Sequence, residues 1–244
     1  MGNTSSVVSQ LRFPGQAAAP EGPVDLTAMY VMHRAFRRDL DSFAAVAPAV
    51  APDDRARWAL VSRRFDFFAT VLHKHHRGED VAMWPLLAER GADAATLAAL
   101  EAEHAGIDPL LVSARADLRA LAAGSGDAAT RGRLAATTAR LHDTLGAHLA
   151  HEERDGMALV QAHLTQEDWD RLDREVFSKD YAAREVPAVL GWVASGLPDE
   201  GLRRMPGGNS ALFRSFGRWM ARRFERREAR VFGVRSPDAE AARP

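Results

Sequence analysis

The sequence predicts an all-α protein: an up-down-up-down four-helix bundle with additional C-terminal helices. In four long stretches, apolar side chains recur at alternating spacings of three and four residues, which is typical of helices that bury one face. Short segments rich in Pro, Gly and Asp separate these stretches, and short connections make neighbouring helices antiparallel. Runs that alternate apolar and polar residues, the signature of strands, are missing from the sequence.

Start and stop signals bracket each predicted helix. The four helices are expected at about residues 25–47, 53–90, 93–122 and 127–163. Pro48 follows the first of them, and Gly91 follows the second. Pro85 lies inside the second helix, and we expect it to kink or end the regular part.

The composition divides the chain into three parts. Residues 1–24 are rich in Gly, Pro, Ser and Ala without an apolar period, so we expect a mobile N-terminal tail. Residues 25–163 hold the bundle, and residues 164–244 form a C-terminal helical extension whose end, from about Ser236, we expect to be disordered. The last predicted helix is rich in arginine, and we expect its interspersed aromatic side chains to pack on the bundle.

The absence of cysteine from all 244 residues excludes several kinds of site. Disulfides, iron–sulfur clusters, thiolate zinc sites and thiol nucleophiles all need that residue. A metal site in this chain must use imidazole and carboxylate groups, which suit iron, manganese or zinc.

Charge and hydropathy restrict the expected partners and location. The formal net charge of −1 gives no reason to expect a nucleic acid as partner. No apolar run reaches the length of a membrane span, and the N-terminus lacks the pattern of a secretory signal, so we expect no membrane partner and a cytoplasmic location.

Six ionisable side chains stand in the apolar stripes where Leu or Phe is expected. They are His33, His75, Glu79, His104, His148 and Glu152. A carboxylate buried without a partner destabilises a protein strongly, and glutamate is rarely buried unpaired. A pair of metal cations explains all six positions, because the cations compensate the carboxylates and accept the imidazole lone pairs.

The spacing of these residues supports one shared site. His75 and Glu79 are four residues apart, as are His148 and Glu152, so each pair projects from one face of its helix. Each half of the bundle therefore offers one His and then a His-x-x-x-Glu motif. Such a pseudo-twofold arrangement is the usual way in which a helix bundle holds two metals.

Four ordered segments resemble the hemerythrin-like (HHE) cation-binding domain over roughly residues 25–163. The segments are Met32-His33-Arg34, His75-His76-Arg77-Gly78-Glu79-Asp80 with the following Trp84-Pro85-Leu86-Leu87, Glu103-His104, and His148-Leu149-Ala150-His151-Glu152-Glu153. The resemblance implies a non-haem di-iron centre, two irons with an oxo or hydroxo bridge. It also implies four imidazole ligands, from His33, His75, His104 and His148, and two bridging carboxylates, from Glu79 and Glu152.

One feature of the oxygen-carrying members is missing from the sequence pattern. Those proteins have a fifth histidine one turn from the ligand of the third helix, whereas this chain has Asp108 and Leu100 four residues to either side of His104. We therefore expect two imidazoles per iron and an exchangeable position on each metal. Peroxide or nitric oxide chemistry, or sensing, is then as consistent with the resemblance as reversible oxygen carriage.

Several polar residues near the motifs lie off the stripes. We expect His73, His76 and His151 to be solvated or to support the ligands, and Asp80 and Glu153 to orient neighbours or face water. Tyr30, one turn before His33, and Asp108 stay open as contributors to the site.

Three classes of function remain open at this point. The first is a binding or sensing module for a small diatomic or peroxide ligand. The second is an oxidoreductase, either a catalase-like or peroxidase-like scavenger or an oxygen-activating oxidase with an unknown electron donor. The third is an iron-storage protein or an interaction protein with a structural metal. No dinucleotide or phosphate-loop motif indicates a second cofactor.

Overall fold

The computed structural model describes residues 7–233, which form an all-α helical bundle followed by further helices, so the predicted fold class is confirmed. In chain order the α-helices are α1 (Thr27–Ala49), α2 (Arg55–Gly78), α3 (Trp84–Glu89), α4 (Ala94–Ala123), α5 (Ala128–His151), α6 (Met157–His163), α7 (Gln166–Leu172), α8 (Val186–Ala194), α9 (Asp199–Arg204) and α10 (Ala211–Phe232). The long helices α1, α2, α4 and α5 form the bundle, in which α4 packs on α2 and α5, and α5 packs on α1.

Aspartate caps begin three of the bundle helices. Asp54, Asp93 and Asp127 each accept a hydrogen bond from the backbone N–H three residues later. Such caps satisfy a donor that has no partner inside the helix and contribute about 1 kcal/mol each. The helix α4 ends at Ala123, and the following Gly124 has a positive φ of 77°, which suits glycine.

Two of the bundle helices contain a π-helical turn. The helix α2 continues into the turn Glu79–Met83, and α5 continues into the turn Glu152–Gly156. The regular α-helix thus ends at Gly78, seven residues before Pro85, which lies in the first turn of α3. Both of these π turns begin at a glutamate of the predicted site, and π turns are frequent at functional sites.

An aromatic layer fills the bundle beside the predicted site. Phe36, Phe43, Phe65 and Phe68 are all buried, with ring centroids 5.0–6.0 Å apart in tilted or edge-to-face pairs. Burial of each such side chain stabilises the fold by about 1.5–3 kcal/mol.

The C-terminal region packs over α1 and α2 through a buried polar network. Asp39 accepts hydrogen bonds from Trp192 Nε1 at 2.9 Å and from Arg64 Nη2 at 2.5 Å. Arg64 also pairs with Glu228 of α10 at 2.8 Å. The expectation for the aromatic side chains of α10 is only partly correct, because Phe216 and Trp219 face solvent.

The N-terminal segment, residues 7–24, packs on the bundle instead of forming the mobile tail expected from its composition. Phe13 and Val24 are buried, and Val8 and Gly22 form an isolated antiparallel bridge. Gln161 of α6 accepts a hydrogen bond from the Val24 N–H at 2.9 Å. Specific hydrogen bonds thus fix a stretch that has no apolar period. The expected disordered end, from about Ser236, and residues 1–6 of the expected tail lie outside the described residues.

Candidate metal centre

The structure brings the six predicted site residues together in the bundle interior. Nε2 of His33 in α1 lies 3.2 Å from Nε2 of His75 in α2. Nε2 of His104 in α4 lies 3.1 Å from Nε2 of His148 in α5. Two pairs of imidazoles, one in each half of the bundle, therefore direct their Nε2 atoms towards each other.

The two glutamates lie between these imidazole pairs. Glu79 Oε1 is 3.0 Å from His75 Nε2, and Glu79 Oε2 is 3.6 Å from His104 Nε2. Glu152 Oε2 is 3.2 Å from His33 Nε2 and 3.8 Å from His148 Nε2. Each carboxylate thus reaches one imidazole of each half, as a carboxylate that bridges two metals must.

The surroundings of the Glu79 and Glu152 carboxylate oxygens indicate whether a cation fits at this position. Both glutamates are fully buried, and within residues 7–233 none of their four oxygens has a hydrogen-bond partner. Unsatisfied buried carboxylates are strongly unfavourable, and buried charges are normally paired or bound to metals. Imidazole and carboxylate together suit iron, manganese or zinc. The donor set therefore fits divalent or trivalent metal ions.

A second set of carboxylates holds the outer nitrogen of three imidazoles. His33 Nδ1 donates to Glu153 at 3.1 Å, and His104 Nδ1 donates to Asp80 at 2.7 Å. His148 Nδ1 donates to Glu103 at 2.8 Å. A carboxylate on Nδ1 fixes the tautomer that leaves Nε2 free for a metal and increases its basicity.

Asp80 and Glu153 each link the two halves of the bundle. Asp80 follows Glu79 just beyond the end of α2 and accepts a hydrogen bond from His104 of α4. Glu153 follows Glu152 just beyond the end of α5 and accepts one from His33 of α1. From the sequence, both residues were expected either to orient their neighbours or to face water. Their equivalent positions, directly after Glu79 and Glu152, were the feature of the sequence that could have indicated the supporting role.

His76 joins the site, although the stripe pattern placed it outside. It is buried and its ring stacks on that of His104, with centroids 3.9 Å apart and planes 7° apart. Its Nε2 has no hydrogen-bond partner among the described residues. Donor atoms of His76, His104 and His148 lie within 4.8 Å of one another, as do those of His33, His75, Glu79 and Glu152. The centre thus has two imidazoles around one possible metal position, from His33 and His75, and three around the other, from His76, His104 and His148.

The pKa values of the inner groups are far apart. Burial lowers the pKa of His33, but the neighbouring Glu152 and Glu153 outweigh it and raise the value to about 9. Burial and the nearby histidines lower the pKa of His75 to about 3. Burial and the charge of Glu152 raise the pKa of Glu79 well above its usual value. Burial also tends to raise the pKa of Glu152, but the neighbouring His33 has the larger effect and lowers this pKa to about 2. The two carboxylates therefore differ: the surroundings of Glu152 favour its ionised form, whereas those of Glu79 favour its neutral form.

The two open candidates lie at the edge of the site. The Tyr30 hydroxyl donates to the backbone carbonyl of Glu153 at 3.1 Å, and burial raises the pKa of this phenol. Asp108 is exposed and lines a cavity of about 170 Å³ together with His76 and His104. The cavity thus borders two of the three imidazoles in this cluster, those of His76 and His104.

The fold and the site together define a helix-bundle protein with a buried histidine and carboxylate centre suited to metal ions. The model of the Hemerythrin HHE cation binding domain matches residues 24–172, more than half of the chain. The chain therefore belongs to the hemerythrin HHE cation-binding family. No significant similarity to a curated protein or to a solved structure accompanies this match. Between residues 7 and 233, no helix is both long enough and apolar enough to cross a membrane.

Proposed function

We propose that this protein is a hemerythrin-like non-haem di-iron protein that binds or reacts with a small ligand: dioxygen, peroxide or nitric oxide. The observation that carries the proposal is the set of four carboxylate oxygens of Glu79 and Glu152, buried without hydrogen bonds between facing imidazole Nε2 atoms. Two cations at these positions would satisfy every inner group at once.

The chain offers one set of ligands to each metal and two groups to both. His33 and His75 would hold the first iron, and His104 and His148, joined by His76, would hold the second. Glu79 and Glu152 would bridge the two. When bound, the iron pair supplies exchangeable coordination positions and reversible one-electron redox chemistry.

The protein around the centre limits the size of the ligand. The cavity beside His76 and His104 has a volume of about 170 Å³. On the other side, the buried aromatic layer of Phe36 and Phe68 contacts His75 and Trp192 and excludes water. The cavity has room for a diatomic molecule or a peroxide beside His76 and His104.

The first experiment measures the metal content and the ultraviolet–visible spectrum of the purified protein. We expect two irons per chain and a charge-transfer band of an iron pair. Glu79→Ala should abolish the paired site, because water cannot replace a bridging carboxylate without loss of geometry. Glu89→Ala, an exposed glutamate of α3, is the matched control. Full di-iron occupancy in Glu79→Ala would show that the ligand set is wrong.

A second experiment separates ligand binding from turnover. The reduced protein is mixed with oxygen or peroxide in a stopped-flow spectrometer. A stable, reversible adduct assigns the protein to binding or sensing, and rapid consumption of peroxide or oxygen assigns it to the oxidoreductases. A bound metal without redox reactivity would instead indicate storage or a structural role.

A further inference from the structure

The N-terminal segment, residues 7–24, reaches the metal centre through one side chain, that of Glu153. The Ala17 N–H donates to Glu153 Oε2 at 2.9 Å, and Gln16 Nε2 donates to Glu153 Oε1 at 3.0 Å. Gln16 Nε2 also donates to the backbone carbonyl of Tyr30 in α1 at 3.0 Å. The segment therefore binds both the carboxylate and the helix that carries His33.

Glu153 passes this constraint on to His33. Its Oε1 accepts from His33 Nδ1 at 3.1 Å, and its Oε2 accepts from Arg37 Nη2 at 2.9 Å. The carboxylate is fully buried, so all four of these donors lie in an environment where each hydrogen bond restricts its position strongly. The orientation of the His33 ring thus depends on a carboxylate that the N-terminal segment fixes in place.

Within the described part of the chain, the carboxylates at His104 and His148 have no hydrogen bond to the N-terminal segment, although His151 Nδ1 donates to Glu103 at 2.8 Å. The side chains of Asp80 and Glu103, which hold His104 and His148, are 31% and 36% exposed. Asp80 lines the cavity that opens to the surface. Solvent can therefore support these two carboxylates, whereas Glu153 relies on protein donors alone.

We propose that Gln16 and Glu153 are positioning residues for the metal centre: the N-terminal segment locks His33 in its metal-binding orientation, so that the metal position of His33 and His75 depends on this segment. The proposal rests on the proposed function, since it needs a metal at His33. The position held by His104 and His148 should not depend on the segment.

The test is a titration of the metal-free, full-length protein with Co(II), in competition with a chelator. The visible d–d absorption of the bound cobalt reports its coordination, independently of any activity. Gln16→Ala removes the hydrogen bonds to Glu153 and Tyr30. Gln10→Ala is the matched control, because Gln10 lies in the same segment and bonds to the Val24 carbonyl and the Leu26 N–H, with no hydrogen bond to Glu153 among the described residues.

We expect Gln16→Ala to weaken one of the two cobalt sites by about three- to tenfold, the effect of losing its hydrogen bond to Glu153. The d–d spectrum of that site should change, while the other site stays as in the wild type. Gln10→Ala should lower thermal stability but keep both cobalt affinities within about twofold of the wild type. Glu153→Gln, which keeps the size of the side chain and removes its charge, should weaken the same site by about 10–100-fold.

Two results would overturn the proposal: unchanged cobalt binding in Gln16→Ala, or an equal loss in Gln10→Ala. If Glu153→Gln does not fold, the comparison of Gln16→Ala with Gln10→Ala still tests the positioning role. A wild-type protein that binds no pair of metals refutes the proposed function itself. A wild-type protein that binds two, together with a Gln16→Ala variant that binds them equally well, refutes only the positioning role.

Discussion

The imidazole of His76 lies face to face with that of His104, with 3.9 Å between the ring centroids and 7° between the planes. The two histidines belong to α2 and α4, and His148 of α5 completes the cluster. Burial and the neighbouring histidines lower the pKa of His76, so this ring is neutral at physiological pH and can donate a lone pair to a metal.

His76→Ala should therefore lower metal occupancy in the half of the site that holds His104. Loss of an imidazole ligand should reduce the metal content from two ions towards one, measured by elemental analysis after dialysis against a weak chelator. His73→Ala is the control, since His73 lines the same cavity but is exposed. Equal metal content in both variants would exclude His76 as a ligand.

Gly156→Ala should disturb Glu152 directly. A Cβ at Gly156 would lie 3.1 Å from Glu152 Cγ and 3.2 Å from Leu100 Cδ1, both closer than ordinary van der Waals contact. We expect a loss of about 1–3 kcal/mol in the free energy of unfolding and a weaker metal pair. Urea denaturation and metal analysis measure the two effects.

The control for this prediction is Gly132→Ala in α5, where a Cβ meets nothing within 4 Å. There the substitution should stabilise the helix by about 0.8–1 kcal/mol. A Gly156→Ala variant that gains stability as Gly132→Ala does would contradict the close packing at Glu152.

Asp39→Ala should destabilise the attachment of the C-terminal region. It removes the acceptor of both Trp192 Nε1 and Arg64 Nη2 and leaves a buried guanidinium with only Glu228 as its ionic partner among the described residues. Removing one partner of a buried ion pair costs about 3–5 kcal/mol. Asp41→Ala, two residues away and exposed, should change the unfolding free energy by about 0.5 kcal/mol or less. Similar denaturation midpoints for both variants would be the contrary outcome.

Asp168→Asn should weaken the acid dependence of stability. Burial raises the pKa of Asp168, but hydrogen bonds from Thr165 and the charges of Arg90 and Arg171 outweigh it, so the pKa is lowered. A lowered pKa means that the stabilisation is present above the usual value for aspartate and disappears as the pH falls through the lowered one.

Melting temperatures at pH 7 and pH 3 measure this effect. The difference between the two temperatures should be smaller in Asp168→Asn than in the wild type. Asp170→Asn, an exposed neighbour in α7, should keep the difference of the wild type. If both variants show the same difference, the capping box at Thr165 does not contribute to acid sensitivity.

The spacing of apolar residues predicted the bundle and the six inner groups because both follow from one requirement, the burial of one face of each helix. Each of the six predicted residues is buried. His76 was missed because a single narrow stripe was assigned to α2. That helix packs against both α1 and α4, so its buried face is wider. A second stripe, made of Phe65, Ala69, Leu72, His76, Glu79 and Met83, contains it.

The packing of residues 7–24 could not be predicted from composition or periodicity. Its determinants are individual contacts with distant residues, such as that between Gln16 and Glu153, which are 137 positions apart in the sequence. Hydrogen bonds of this kind depend on the finished tertiary structure. For the same reason the sequence did not show which carboxylate would support which histidine.

The two π-helical turns change how the bundle tolerates insertions and deletions. A residue advances an α-helix by about 100° of rotation, so an extra residue in one turn rotates everything beyond it relative to everything before it. Deleting one residue between Val81 and Met83 would restore a regular helix and rotate His75 and Glu79 relative to the buried Trp84 and Leu87. In α2 and α5, the angular phase of the segment that bears the histidine is thus tied to that of the following segment by a single extra residue, so its loss would separate the ligands of the site although each of their side chains is still present.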